Sequence, residues 1–202
     1  MVNGTRIKRI MKDNIILVDC DGVLLDWEQY FTHWMKEKHD MTPCNPKEYN
    51  IGKMFGITPA EGKRYVGAFN SSDNMANLGP LRDAVKYVRK LYTDHGFRFH
   101  VITSQTNDIP AQEFRKYNLE KLFGEDVFEG FTILDQGADK NDALLKWEDT
   151  GCYWIEDKPE NYMVGYHLGL EPILMGHQYN LGFDGNVVNN WKEIYNKITG
   201  EV

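Results

Sequence analysis

The sequence predicts an α/β protein, with a mostly parallel sheet flanked by helices and a small helical segment inserted after the first strand. Three observations carry this expectation. Short apolar runs rich in β-branched or aromatic residues recur at 15–18, 97–103, 131–134, 153–155 and 172–175. Helical patterns lie between most of them, and strands alternating with helices are the mark of βαβ units. The stretch from Asp26 to Leu78 breaks the rhythm: it holds no convincing strand and far exceeds the ~2–6 residues of an ordinary connection.

The first run, "IILV" at 15–18, reads as a buried strand. Beyond it, Asp26 can cap a helix whose apolar residues Trp27, Tyr30, Phe31, Trp34 and Met35 recur at helical spacing. "TPAE" at 58–61 has the capping-box pattern with proline at the first helical position, and opens a second helix towards Phe69. The chain therefore divides into a core of residues 1–26 and 79–202 and a helical cap of residues 27–78. Residues 82–92 place Val85, Val88, Leu91 and Tyr92 on one helical face, opposite Lys86, Arg89 and Lys90. Residues 110–123 open on proline and stop at Gly124. Shorter helical patterns cover 140–148 and 161–168, the latter halting at Gly169. A turn at Asp184-Gly185 precedes a short amphipathic helix over about 187–198.

Composition narrows the function classes. At 202 residues, 42% hydrophobic and 26% charged, the chain can build one sizeable core and has ordinary globular composition. The net charge of −7, from 23 Lys+Arg against 30 Asp+Glu, argues against coating duplex nucleic acid, which calls for a basic face. Small anionic substrates remain compatible where a metal or a few lysines neutralise them. Cys20, Cys44 and Cys152 are odd in number and form no CxxC pair, which points to a reducing compartment rather than a disulfide framework. No run approaches the ~18 apolar residues of a membrane span. The N-terminal "MVNGTRIKRIMKDN" carries basic residues without the apolar stretch of a signal peptide. The expectation is a soluble, cytoplasmic protein.

In open parallel sheets, ligands gather beyond the carboxyl ends of the strands. After the first run come Asp19, Cys20, Asp21 and Gly22; "FHVIT" delivers Thr103 and Ser104. A loop after "FTIL" leads to Asp139 and Lys140, and "YWI" runs into Glu156, Asp157 and Lys158. Carboxylates at the mouth of a core are costly unless compensated, and a cation would compensate them. Asp19 and Asp21 share a direction on an extended chain, so one can attack while the other handles a proton. Gly22 permits a tight exit. Mg²⁺ usually takes one or two carboxylates, waters and substrate phosphate; Asp19, Asp157 and a backbone carbonyl suit it. Lys158 stands close enough to Lys140 in sequence to be the phosphate lysine instead. Trp27 is the cap residue best placed to touch substrate, and His167 and His177 read as structural or exposed.

"DCDGV" resembles the DxDG[TV] signature of the haloacid dehalogenase-like phosphatases, and the later strand ends follow that family's other motifs in order. The likeness covers about residues 15–161. "GPLRDAVKYVRKLYTDHGFRFHVITSQT", "IEDKPEN" and "VNNWKEI" resemble the 5'(3')-deoxyribonucleotidase branch. The resemblance implies a three-layer, Rossmann-like parallel sheet with a cap after strand one. It implies Asp19 as a nucleophile that becomes an aspartyl phosphate, and Asp21 as general acid/base and backbone ligand of Mg²⁺. Thr103, Ser104 and Lys140 would bind phosphate, and Asp157 would ligate the metal with Glu156 behind it. Two departures stand out: Glu156-Asp157 where Asp-Asp is common, and Thr103-Ser104-Gln105 where the nucleotidases tend to have Thr-Ser-Pro. Asp21 excludes the dehalogenases themselves, and the "DKTGT" signature of ion-pumping ATPases is absent. The expected function is a Mg²⁺-dependent phosphomonoesterase acting on (deoxy)nucleoside monophosphates. A phosphatase for a sugar phosphate or a nucleic-acid 3'-phosphate end, or a non-catalytic module of the same fold, are the alternatives.

Overall fold

The computed structural model describes residues 14–201, so the reading of the N-terminal segment falls almost wholly outside the described residues. Six strands, β1 (Ile15–Val18), β2 (Arg98–Ser104), β3 (Phe128–Leu134), β4 (Tyr153–Glu156), β5 (Glu171–Met175) and β6 (Val187–Val188), form one sheet in the order β3-β2-β1-β4-β5-β6. Every pairing is parallel. The order reverses between β1 and β4, and such a reversal opens a crevice at the carboxyl ends of the two strands. Val18 lies opposite Val101 on one side and Ile155 on the other, so β1 ends beside the end of β4 while β2 runs on past it to Ser104.

Successive side chains of a strand point to opposite faces. Ile16 and Val18 join the core shared with α4 (Ala84–His95), α5 (Ile109–Phe123) and α8 (Trp191–Thr199). Ile15 and Leu17 face the opposite layer, where Leu144 of α6 (Asn141–Leu145) packs and Val164 of α7 (Pro159–His167) closes over it. The result is a three-layer α/β fold of Rossmann-like form.

Apart from isolated β-bridges of Leu25 with Asp21 and Pro80, the regular elements between β1 and α4 are helical: α1 (Trp27–His39), α2 (Ile51–Phe55), α3 (Pro59–Asn70) and a 3₁₀ turn at Asp73–Ala76. Asp26 caps α1 by accepting from the Gln29 N–H. Thr58 and Glu61 form the capping box of α3, each side chain accepting from the other residue's backbone N–H. Sequence reading missed α2, because five residues are too few for a period to show; Asn50 caps it and Gly56, at φ +66°, ends it. Phe31, Met35, Phe69, Met75 and Leu78 share one apolar cluster with Val88 of α4, so this insertion is packed onto the core rather than tethered to it.

The tail departs from expectation. Val187 and Val188 pair with Leu174 and Met175 as β6, and the helix begins only at Trp191, behind the Asn190 cap. Two β-branched residues beside an open sheet edge favour the ladder over the first turn of a helix. The helix expected over 140–148 shortens to α6, and the one expected from Arg82 starts at Ala84 because Arg82 itself takes a positive φ of 42°.

Trp191 shows how the tail supports the region after β1. It is fully buried, its ring lies 6.1 Å from that of Phe99, and its Nε1 donates to the Val23 carbonyl at 2.8 Å. Trp191→Ala should cost about 3–5 kcal/mol through the cavity it leaves. Urea unfolding at equilibrium checks this, with a midpoint shift at constant slope; a loss below about 1 kcal/mol would show the ring to be dispensable.

Candidate active site

Asp19 extends β1 by one residue: its N–H donates to the Ile155 carbonyl at 2.9 Å, continuing the parallel ladder into the crevice. Its carboxylate is buried, accepts from the Cys20 N–H at 2.7 Å and pairs with Lys140 Nζ at 2.7 Å. The same Nζ lies 2.8 Å from Glu156 Oε2 at the end of β4. Glu156 also accepts from the N–H groups of Asp157 and Lys158 at 3.1 and 3.0 Å and from Asn161 Nδ2 at 3.3 Å. Both of its oxygens are thereby engaged.

Asp157 follows on the same strand end. Its carboxylate accepts from the Tyr179 hydroxyl, and its backbone carbonyl accepts from Asn180 Nδ2 at 2.7 Å. One oxygen from each of Asp19, Glu156 and Asp157 lies within 4.8 Å of the others. Gly22 makes this convergence feasible. At φ +72°, a Cβ there would stand 2.5 Å from Asp157 Oδ2 and 3.2 Å from the Tyr179 hydroxyl. The Gly22 carbonyl accepts from His177 Nε2 at 2.7 Å.

The electrostatics follow from burial. Burial, then the Glu156 charge, push the Asp19 carboxyl up to about 7 against the pull of Lys140. Burial lifts Glu156 to about 7, and burial together with Asp19 lifts Asp157 to about 6. Burial works against the charge of Lys140, but Asp19 and Glu156 outweigh it and hold the ammonium protonated. Three buried carboxylates against one ammonium leave a site short of positive charge, a donor set that fits a hard divalent cation. Asp19 and Asp157 could hold it, because Glu156 is already spent on Lys140 and on backbone N–H groups.

Asp21 also lines the cavity, yet it belongs to a different ion pair: its Oδ1 accepts from Arg115 Nη1 at 2.7 Å. Thr103 is buried, with Oγ1 at 3.4 Å from the same Nη1. Ser104 donates its hydroxyl proton to the Ala138 carbonyl at 2.8 Å, tying β2 to the loop that carries Lys140. Lys158 lines the cavity as well, but its ammonium lies 5.6 Å from the Tyr49 ring rather than on Asp19. Trp27 stacks on Phe31 at 4.6 Å and donates through Nε1 to Asn70 Oδ1 at 2.8 Å. The cavity between insertion and sheet has a volume of about 850 Å³; Asp19, Thr103, Lys140 and Asp157 line its core side, and Trp27 and Asn50 the other.

Three residues of this site escaped sequence reading. Arg115 is fully buried on α5, in line with Leu119 and Phe123. An arginine at helical spacing with two apolar residues was the available signal. Tyr179 and Asn180 carried none, since they act from a loop joined to the site only by the fold. His177, read as structural or exposed, stacks on Tyr179 at 5.0 Å and lines the cavity.

Fold and site together define a Rossmann-like α/β architecture with acidic strand ends, and comparison makes it specific: the chain has the haloacid dehalogenase-like fold. It superposes on a haloacid dehalogenase-like family hydrolase from Streptococcus pneumoniae with a TM-score of 0.61 at 14% identity, over 92% of this chain and 98% of that one. No family model matches the sequence. An uncharacterized 32.4 kDa protein of the Gp30-rIII intergenic region of Enterobacteria phage T4 is 24% identical over 195 residues, 91% of this chain and 69% of its own. The mitochondrial 5'(3')-deoxyribonucleotidase of Mus musculus is 25% identical over 174 residues, 82% of this chain and 75% of its own.

The raised carboxyls make the metal-free protein sensitive to pH. A carboxyl whose folded pKa lies above its unfolded value of about 4 makes the folded state bind more protons between those values, so its stabilising contribution falls as pH rises. For Asp19 that window runs from about 4 to about 7. In EDTA, Asp19→Asn should therefore gain melting temperature over the parent as pH rises from about 5 to about 7.5. Using the difference between the two proteins cancels the histidines, which titrate in both. A gap that closes with rising pH would contradict the desolvated carboxyl.

Proposed function

We propose that this chain is a Mg²⁺-dependent phosphomonoesterase acting on (deoxy)nucleoside monophosphates through an aspartyl phosphate on Asp19. One observation carries the reading: a buried carboxylate at the end of β1 stands between Lys140 and Asp157 on the floor of a cavity large enough for a nucleotide. Residues 27–78 act as the cap over a core of residues 1–26 and 79–202. Asp19 and Asp157, with the backbone carbonyl of Asp21, would hold the metal. When bound, the ion neutralises phosphate charge and keeps Asp19 ionised.

Each step balances on groups of the chain. An Asp19 oxygen bonds to phosphorus as the bond to the leaving oxygen breaks, and the Asp21 carboxyl gives that oxygen its proton. Asp21, now a carboxylate, takes a proton from water as the water oxygen bonds to phosphorus. The bond from phosphorus to Asp19 breaks, and inorganic phosphate departs. Lys140 and Thr103 bind the other phosphate oxygens, supplying positive charge and a hydroxyl where negative charge redistributes. Glu156 keeps Lys140 aimed at Asp19, and Ser104 steadies the loop between them.

The substrate class is supported by the nucleotidase-like motifs, by the likeness to the mouse deoxyribonucleotidase, and by Trp27, an aromatic cap residue on the cavity wall. A pure binding module would have no use for Asp19 and Asp21 together. The free thiols of Cys20, Cys44 and Cys152 fit a cytoplasmic site of action.

Phosphate release measured over a panel of nucleoside monophosphates and sugar phosphates with Mg²⁺ tests the substrate; a sugar phosphate turned over fastest would overturn the nucleotide assignment. Asp19→Asn should abolish turnover, and wild type quenched in turnover should carry hydroxylamine-sensitive phosphate on Asp19. Asp21→Asn, whose amide oxygen can still accept from Arg115, should fold and lose about 10²–10⁴-fold in rate. Near-wild-type turnover in Asp19→Asn would make water or another residue the nucleophile.

A further inference from the structure

Arg115 is an anomaly in the packing. It sits on the inward face of α5 with no exposed surface, among side chains that a leucine or methionine could match in volume. Burying a guanidinium is costly unless its donors are well satisfied. Here satisfaction is incomplete: Nη1 meets Asp21 Oδ1 at 2.7 Å and Thr103 Oγ1 at 3.4 Å, Nη2 meets the sulfur of Met75 at 3.2 Å, the Cys20 thiol also interacts with the guanidinium, and Nε has no hydrogen-bond partner. An arginine that merely filled space or stabilised the core would not be placed so. What it does well is hold one oxygen of Asp21.

We propose that Arg115 is the positioning residue of the proton-transfer carboxyl: it fixes Asp21 so that its second oxygen stands where the leaving oxygen of the substrate will be. The proposal rests on the aspartyl-phosphate reading above. Asp21 is partly exposed, its side chain at 25%, and a lone aspartate on such a turn could rotate towards the lysine already shared by Asp19 and Glu156. The guanidinium prevents this by geometry, since its planar fork is rigid and is itself locked by burial. Because Nη1 also reaches Thr103, one rigid group sets the proton donor relative to the phosphate-facing hydroxyl of β2. Met75 and Leu78 supply the outer side: Arg115 touches Met75, and Asn118, one turn further along α5, donates to the Leu78 carbonyl at 2.9 Å. The chain returning from the cap thus closes over the arginine.

The burial is asymmetric, which makes the test practicable. Removing Arg115 leaves Asp21 free to be hydrated, whereas removing the Asp21 carboxylate strands a buried cation. Arg115→Met is therefore the tolerated change and should melt above Asp21→Ala.

The readout is the leaving group. A nucleoside monophosphate expels an alkoxide that needs a proton, while p-nitrophenyl phosphate expels a phenolate that needs none. Values of kcat/KM report the steps through formation of the aspartyl phosphate for both. Arg115→Met should lower kcat/KM for the nucleoside monophosphate about 10²-fold, within the range of a lost general acid, and for p-nitrophenyl phosphate less than about 10-fold. Arg115→Lys, which keeps a charge in the same place, should fall between Arg115→Met and wild type. An equal loss on both substrates, or no loss on either, would overturn the proposal and leave Arg115 a structural residue. Should Arg115→Met fail to fold, the same comparison on Arg115→Lys decides, because a structural role predicts no leaving-group bias there. Failure of the underlying reading looks different: Asp19→Asn would remain active on both substrates, and both proposals would fall together.

Discussion

Lys140 stands 2.7 Å from Asp19 and 2.8 Å from Glu156, and the chain around it is arranged to make that double pairing hold. Unpaired charges in a low-dielectric interior cost several kcal/mol each, so the three carboxylates cannot persist there ionised on packing alone. The lysine is placed from below by Trp154, whose ring centre is 5.2 Å from Nζ. Trp154 in turn needs the bare backbone of Gly165, since a Cβ there would stand 2.5 Å from its Cδ1. Its Nε1 donates to the Asn161 carbonyl at 3.1 Å, and Asn161 donates to Glu156. Packing in the layer formed by α6 and α7 therefore reaches the site within two contacts.

A second support comes from the turn after β5. His177 holds the Gly22 carbonyl, Tyr179 the Asp157 carboxylate, and Asn180 the Asp157 and Met175 carbonyls at 2.7 and 2.8 Å. Three residues of one loop thus fix two strand ends. The insertion meets the same loop, with the Tyr49 ring 5.1 Å from that of Tyr179. On the opposite wall, Gln105 donates to the Asn70 carbonyl at 2.9 Å while Asn70 donates to the Gln105 carbonyl at 3.3 Å. This accounts physically for glutamine where proline stands in the nucleotidase pattern. The side-chain amide joins α3 to the end of β2, and Asn70 passes the constraint to Trp27.

What was legible in the sequence was whatever local periodicity or a strand end could carry. Apolar runs marked five of the six strands, and the residues at their carboxyl ends or on the loops that follow include Asp19, Thr103, Lys140 and Asp157, which share one cavity. The two-residue β6 could not be read, because its identity depends on an open edge offered by β5. Glu156 was placed behind the metal ligand Asp157 on sequence alone, and the structure engages both its oxygens with Lys140, Asn161 and backbone N–H groups. Arg115 lies 94 residues from Asp21 and Tyr179 22 from Asp157. Pairings of that kind are created by topology and leave no spacing to detect.

On the proposed function, a divalent cation held on Asp19 and Asp157 completes the acidic cluster. Thermal melts at neutral pH with EDTA and with increasing Mg²⁺ test it most directly. A ligand that binds only the folded state at about 100 times its Kd adds about 2.7 kcal/mol, which for a domain of this size raises Tm by about 5–11 °C. That rise is expected for the parent protein and should be lost in Asp157→Asn. A melting temperature indifferent to Mg²⁺, or an equal rise in Asp157→Asn, would contradict it.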